Sequence, residues 1–296
     1  MRNIFFSDPH ISEEAIPELE LIFKEIISYK KHADCLICGG DYYEKKNPSS
    51  VEIEFGTKWA KIFRHEFPAF WMIEGNHPSI SADASSVKYL QYLDVPVVID
   101  KIIDEVYYGH FMVKESACGF EEKLTYNDLL ALHSGTVDYK VDLKRYILGH
   151  QHTYQEHERL VHPGSVRYVD FGEVKDKHKY ILLVEDGDIL PIILNKVRPM
   201  YEVTKVADLA NLPAHAQVRL VVNDFEQFKK EVQAIDAYKN KFFKFKVKLN
   251  FERNITSNSI NMLQNNQEII MKWLDTVKDI DVKAELVDEL KKVGVC

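Results

Sequence analysis

Ile4-Phe5-Phe6-Ser7-Asp8-Pro9-His10 joins an apolar run of strand length to two residues that can ligate a metal. The same shape recurs down the chain. Cys35-Leu36-Ile37-Cys38 runs into Gly39-Gly40-Asp41, Phe70-Trp71-Met72-Ile73 into Gly75-Asn76-His77, Leu129-Leu130-Ala131-Leu132 into His133-Ser134, and Tyr146-Ile147-Leu148 into Gly149-His150-Gln151-His152. Short apolar runs bounded by turn residues read as buried strands. Laid side by side, their carboxyl ends would gather two Asp, one Asn and five His at one sheet edge. Open α/β sheets bind ligands at that edge. Asp, Asn and His without Cys suit Mn, Fe or Zn better than they suit a structural zinc site. The pattern implies a binuclear metallohydrolase.

Around these motifs the first part alternates strand and helix. Leu19, Ile22, Phe23, Ile26 and Ile27 recur at helical spacing, as do Trp59, Ile62 and Phe63, and Val87, Leu90 and Leu93 before a Val95–Ile99 strand. Such alternation predicts a layered α/β fold. From about Tyr107 the pattern turns to β. Glu158 to His162, Val166 to Phe171 and Tyr180 to Leu194 read as a meander, with a hairpin turn at Asp186-Gly187-Asp188. Ligands from both halves imply two sheets packed as a sandwich with helices outside. Beyond Val197-Arg198-Pro199 come a strand (Val218 to Val222), a helix from Asp224 to about Tyr238, a strand (Phe242 to Leu249) and two apolar helices, Ser257 to Thr276 and Val282 to Val293. The domains expected are 1–196, 197–252 and 253–296.

The chain of 296 residues is 46% hydrophobic and 28% charged, an ordinary globular composition. No apolar stretch nears the roughly 18–20 residues that span a bilayer. The start, Met1-Arg2-Asn3-Ile4-Phe5-Phe6-Ser7-Asp8, meets charge too early for a signal peptide. Four Cys are few for a disulfide scaffold, so a cytoplasmic setting is expected, with no membrane partner. Cys35 and Cys38 form a CxxC, but residues three apart on a strand point to opposite faces, which predicts two core thiols. A net charge of −8 argues against a protein that coats nucleic acid over its whole surface, though not against a local basic track.

Over about residues 1–195, the ordered set D-x-H, G-D, G-N-H, H and G-H-x-H resembles the calcineurin-like metallophosphoesterase superfamily. The resemblance implies a four-layer αββα sandwich and two divalent ions, Mn foremost, with Mg, Fe or Zn as alternatives. It makes Asp8, His10, Asp41 and His152 one metal position and Asp41, Asn76, His133 and His150 the other, with Asp41 bridging. Two-metal sites clamp the attacking and leaving oxygens of an in-line displacement. His77 would be catalytic, protonating the leaving oxygen or stabilising charge there. Pro78 stands where the superfamily usually carries an acidic residue that orients this histidine, and Asp83 is a candidate substitute. The remaining histidines, at 32, 65, 110, 157, 162, 178 and 215, read as surface or structural, with His162-Pro163-Gly164-Ser165 expected as a loop beside the site.

Three further segments resemble SbcD-type DNA double-strand-break repair nucleases, close to compact phage-encoded versions. They are Gly40-Asp41-Tyr42-Tyr43-Glu44 with Asn47-Pro48-Ser49, Pro163-Gly164-Ser165 with Phe171-Gly172-Glu173 and Lys179–Glu185, and the module opened by Arg198-Pro199. The last is like that family's small α+β DNA-capping domain. The resemblance implies a DNA exonuclease or endonuclease, a homodimer, and an SbcC-type coiled-coil ATPase docking on the C-terminal helices. Glu44 stands where some relatives have a His linked to exonuclease action. In Lys244-Phe245-Lys246-Val247-Lys248 a strand places three Lys on one face. They read either as a phosphate-contacting ridge or as the solvated face of a half-buried strand. The competing functions are a phosphatase or phosphodiesterase acting on a small or protein-bound phosphoester, and a non-catalytic scaffold.

Overall fold

β1 (Arg2–Phe6) and β2 (Cys35–Cys38) are parallel neighbours, and their alternating side chains feed two different cores. The computed structural model to which they belong describes residues 1–75, 79–81, 84–110, 143–223, 225–238 and 240–250. The Leu129–Leu132 strand, Asn76, His77, Pro78, Asp83, His133 and the segment 253–296 lie outside the described residues. The chain divides into two units, Met1–Arg198 and Pro199–Cys296.

In the first unit, α1 (Ile16–Ser28) follows β1, and α2 (Ser50–Glu66) follows β2. Ser49 caps α2 through a capping box with Glu52, which satisfies donors that the first turn would leave bare. β3 (Ala69–Ile73) comes next, then the short antiparallel pair β4 (Ser79–Ser81) and β5 (Ala84–Ser85), then β6 (Val97–Val98). β7 (Asp100–Ile103), β8 (Val106–Gly109), β9 (Arg145–Leu148), β10 (Gln155–His157) and β11 (Leu160–His162) form a second sheet, in the order β10-β11-β9-β8-β7. β12 (Tyr180–Glu185) and β13 (Asp188–Ile193) return to the first, whose order is β13-β12-β1-β2-β3-β6.

Ile4, Phe6, Leu36, Cys38, Phe70 and Met72 pack toward the helices, around Phe23. Its ring lies 5.3 Å from Trp59 and 5.2 Å from Phe63. Phe5, Cys35, Ile37 and Ile73 pack instead against Val106, Tyr108, Ile147 and Val161 of the second sheet. Among the described residues the layers therefore run helix, sheet, sheet. Cys35 and Cys38 are free, buried and in different cores, as two core thiols should be.

Asp186 (φ 54) and Gly187 (φ 91) make the expected hairpin between β12 and β13, both in the left-handed region that such a tight turn requires. Two expectations are corrected. The Val87–Leu93 helix is a single 3-10 stretch, Lys88–Leu93, ended by Asp94 in the left-handed region with Pro96 close behind. Val166–Phe171 is no strand; it is an irregular strap, tied by Val166 N to Ser7 O at 3.1 Å.

In the second unit β14 (Met200–Val203), β15 (Gln217–Val222) and β16 (Lys244–Leu249) form a parallel sheet in that order, with α3 (Phe225–Tyr238) between β15 and β16. Val218, Leu220 and Val222 are buried. The register Gln217↔Lys244, Arg219↔Lys246, Val221↔Lys248 puts the three lysines on one face with Arg219, which pairs with Glu202 of β14. No helix among the described residues is long and apolar enough to cross a membrane.

Candidate metal centre

The loops that leave β1 and β2 continue the parallel pairing beyond the strands. Asp8 N donates to Gly40 O at 3.3 Å, His10 N to Asp41 O at 3.1 Å and Ile11 N to Tyr42 O at 2.9 Å. This lacing sets Asp8 beside Asp41. It holds both, and His10, in the left-handed region, with φ of 53, 42 and 46. Side-chained residues seldom adopt that conformation, and its clustering marks a site whose geometry the surroundings impose. Gly40 (φ 108) packs so closely under the His110 ring that a Cβ would enter it. A Cβ on Gly75 would strike Asp41 at both its amide and its carboxylate, so β3 can end this close only in a glycine.

The second sheet supplies the opposite wall. His150 (φ 68) follows β9, and its N–H donates to both carboxylate oxygens of Asp8, at 3.0 and 3.2 Å. His110 follows β8 and His152 comes two residues after His150. Two groups of ligand atoms result: Asp8, His10 and His152; and Asp41, His110 and His150. Within each group the atoms lie within 4.8 Å of one another. Asp41 Oδ2 faces both groups, 3.3 Å from His110 Nε2 and 3.9 Å from His10 Nε2.

The first group fits an ion on its own geometry. His10 Nε2 and His152 Nε2 are 3.1 Å apart, the spacing of adjacent ligands each about 2.1 Å from a shared centre. His152 Nδ1 is hydrogen-bonded to Glu173 Oε1 at 3.1 Å, and His10 Nδ1 stands 3.0 Å from Glu44 Oε2, a charge contact without hydrogen-bond alignment. The Glu173 hydrogen bond fixes the His152 tautomer that leaves Nε2 to coordinate. Burial works against charge on His152, but Glu173 and the field of Asp8 hold its pKa above the usual value. Glu173 is itself buried, yet the His152 hydrogen bond and Lys179 hold its carboxyl at about 2. His110 is also buried, and Asp41 and Asp8 raise its pKa. His150 goes the other way, lowered by burial and then by the charge of His110.

Of the residues that the motifs single out, Asp8, His10, Asp41, His150 and His152 come together here; Asn76, His77 and His133 lie outside the described residues. His110, read from the sequence as a surface or structural histidine, is 1% exposed, so it is no surface residue, and it lines the cluster beside Asp41 and His150. Its signal is present in Val106-Tyr107-Tyr108-Gly109-His110, one more apolar run ending in a ligand residue. Arg167 and Glu173 also escape sequence reasoning as site residues. His162-Pro163-Gly164-Ser165 does run beside the site: His162 Nδ1 lies 3.0 Å from Gly149 O, and Ser165 N donates to His152 O at 3.0 Å. His32, His65, His157, His178 and His215 are exposed.

Over residues 1–235 the chain matches the calcineurin-like phosphoesterase family, and it belongs to that family. The family binds two divalent metal ions and hydrolyses phosphoesters, so the chain is a metal-dependent phosphoesterase with a mixed α/β fold. No curated protein matches it. Among solved structures it is similar to the cold-active protein-tyrosine phosphatase of a psychrophilic Shewanella species, with 10% identity over 66% of this chain and 78% of that one, at a TM-score of 0.37. It is also similar to nuclease MPE of Pseudomonas putida, with 12% identity over 64% of this chain and 87% of that one, at a TM-score of 0.35.

Proposed function

We propose that this calcineurin-like phosphoesterase is a Mn-dependent DNA nuclease, the nuclease subunit of an SbcCD-like repair or recombination complex. The observation that carries the metal chemistry is Asp41 Oδ2, placed between His110 Nε2 at 3.3 Å and His10 Nε2 at 3.9 Å. One carboxylate can then serve both positions. Asp8, His10 and His152 would hold one ion. Asp41, His150 and His110 would hold the other, with Asn76 and His133 the further candidates from the motif order. Bound ions supply Lewis-acid stabilisation of charge on the phosphoryl oxygens.

The protein's own groups do the positioning. The His150 amide pins the Asp8 carboxylate, so an oxygen pair from the first sheet is fixed by the second. Glu173 orients the His152 imidazole, and the Glu44 carboxylate faces the His10 ring. His77 closes the third motif and is the group proposed to give a proton to the leaving oxygen or to stabilise charge there.

DNA as substrate is supported by the three SbcD-like segments and by the Lys244, Lys246 and Lys248 face, which Arg219 extends. Side chains of that kind position a phosphate backbone without reading sequence. The ATPase partner and the homodimer rest on the same resemblance. Removing residues after Arg253 should leave a Mn-dependent nuclease that no longer co-purifies with its cognate ATPase; undiminished binding would refute that docking.

The deciding experiment digests end-labelled single- and double-stranded DNA with Mn or Mg, beside p-nitrophenyl phosphate and bis(p-nitrophenyl) phosphate. Cleavage of DNA and of the diester is expected. Turnover of the monoester alone would make the protein a phosphatase, and no turnover with no bound metal would make it a scaffold.

A further inference from the structure

The strap from Ser165 to Lys179 carries three buried ionisable side chains, Arg167, Glu173 and Lys179, and the first has no part in the chemistry above. Arg167 is 8% exposed. It donates from Nε to Pro9 O at 3.0 Å, from Nη2 to His10 O at 2.9 Å and from Nη1 to Tyr168 O at 3.3 Å. Two of those acceptors belong to the Asp8-Pro9-His10 loop, whose Asp8 and His10 stand in the left-handed region. A guanidinium presents its donors in a rigid fork, which suits it to holding consecutive carbonyls of a disfavoured turn.

Glu173 closes on the same place from the other side. Its Oε1 accepts from Val169 N and Asp170 N, each at 3.1 Å, and lies 3.1 Å from His152 Nδ1. Its Oε2 accepts from Ser165 Oγ at 3.0 Å and from Lys179 Nζ. A carboxylate tied by so many donors cannot swing, and neither can the imidazole that it holds. Burying these charges is costly, so satisfaction by several partners has to offset it. The two charges meet at Asp8, His10 and His152, one of the two ligand groups. The other group is held differently, with His110 Nδ1 2.9 Å from the Gly39 carbonyl.

We propose that Arg167 and Glu173 are positioning residues which pre-form the Asp8–His10–His152 metal position, so that losing either weakens the ion there far more than the ion at the Asp41–His110–His150 position. The proposal rests on the metal-centre reading above. Its test is calorimetric titration of metal-stripped, full-length protein with MnCl2, comparing wild type, Arg167→Lys and Glu173→Gln. Wild type should take up two equivalents. Each variant should bind one of them about 10–100-fold more weakly and keep the other within about two-fold, because outer partners of a ligand tune that ligand's own ion. A plain fold staple would weaken both equivalently or neither. Variants that bind both equivalents as the wild type does would overturn the proposal alone, whereas a wild type that binds no Mn would overturn the metal-centre reading along with it. Circular dichroism reports folding: if one variant fails to fold, the other decides, and if both fail the strap is a staple and the proposal falls.

Discussion

His10 and His152 meet through Nε2 atoms 3.1 Å apart, although one follows β1 in the first sheet and the other follows β9 in the second. The pairing exists only when the sandwich is closed. A metal held there therefore binds the folded state and not the unfolded chain. Chelation should lower the melting temperature and Mn should restore it, by an amount that corresponds to about 2.7 kcal/mol at a hundredfold excess over Kd. Differential scanning fluorimetry across a Mn series checks this. A melting temperature indifferent to both EDTA and Mn would remove the metal from the site.

Asp41→Asn should reduce hydrolysis of bis(p-nitrophenyl) phosphate to background while leaving the fold intact. Asn accepts the left-handed backbone that residue 41 needs at φ 42, so the substitution removes charge and little else. The charge removed is the one that faces both ligand groups. Full Mn-dependent turnover in a folded variant with unchanged metal content would dismiss Asp41 as the shared ligand.

His110→Ala separates the structural assignment from the motif assignment. His110 Nε2 stands 3.3 Å from Asp41 Oδ2 with its Nδ1 on the Gly39 carbonyl, an arrangement that leaves Nε2 for a metal. The variant should lose one of two Mn equivalents, read by metal analysis after gel filtration. Retention of both, together with a loss in His133→Ala, would return the position to the fourth motif.

How much of this is legible in the sequence follows the range of the interactions. The strands before Asp8, Asp41, Gly75 and His150 are legible because burial on both faces demands unbroken apolar runs. The fates of Cys35 and Cys38 follow from the strand period alone. Val166–Phe171 looks like a strand for the same reason, but Arg167 in its midst answers to carbonyls at Pro9 and His10, some 158 and 157 residues away in sequence. Local pattern carries no sign of such a partner. His110 is legible in shape, yet a motif of fixed order already has its fourth member in His133 and leaves no place for it.

Replacing Lys244, Lys246 and Lys248 together by Ala should weaken DNA binding and flatten its salt dependence, leaving hydrolysis of a small diester nearly unchanged. Each phosphate that a lysine no longer neutralises takes about 0.9 off the log–log slope on duplex DNA. Their shared face with Arg219 means that the row is not erased entirely, so a residual slope is expected. A slope equal to the wild type's would make the row an ordinary solvated strand face.

Acid should destabilise the metal-free protein through His162. It is 3% exposed, lies against Gly149 O at 3.0 Å, and burial pushes its pKa from 6.5 down to about 4. Between those values the unfolded chain takes up a proton that the folded chain refuses, so stability rises with pH across this window and is lost as pH falls through it. The gap is worth roughly 3 kcal/mol at the acid end. His110 works in the opposite sense: its pKa is raised, so its contribution is complete at low pH and fades as pH rises through the folded value. The two can be told apart. In His162→Gln the amide can still donate to Gly149 O but takes up no proton in this range. Urea midpoints in EDTA at pH 7 and pH 4.5 should therefore differ less in the variant than in the wild type. An equal difference in both proteins would place the acid sensitivity in some other group and leave His162 a packing residue.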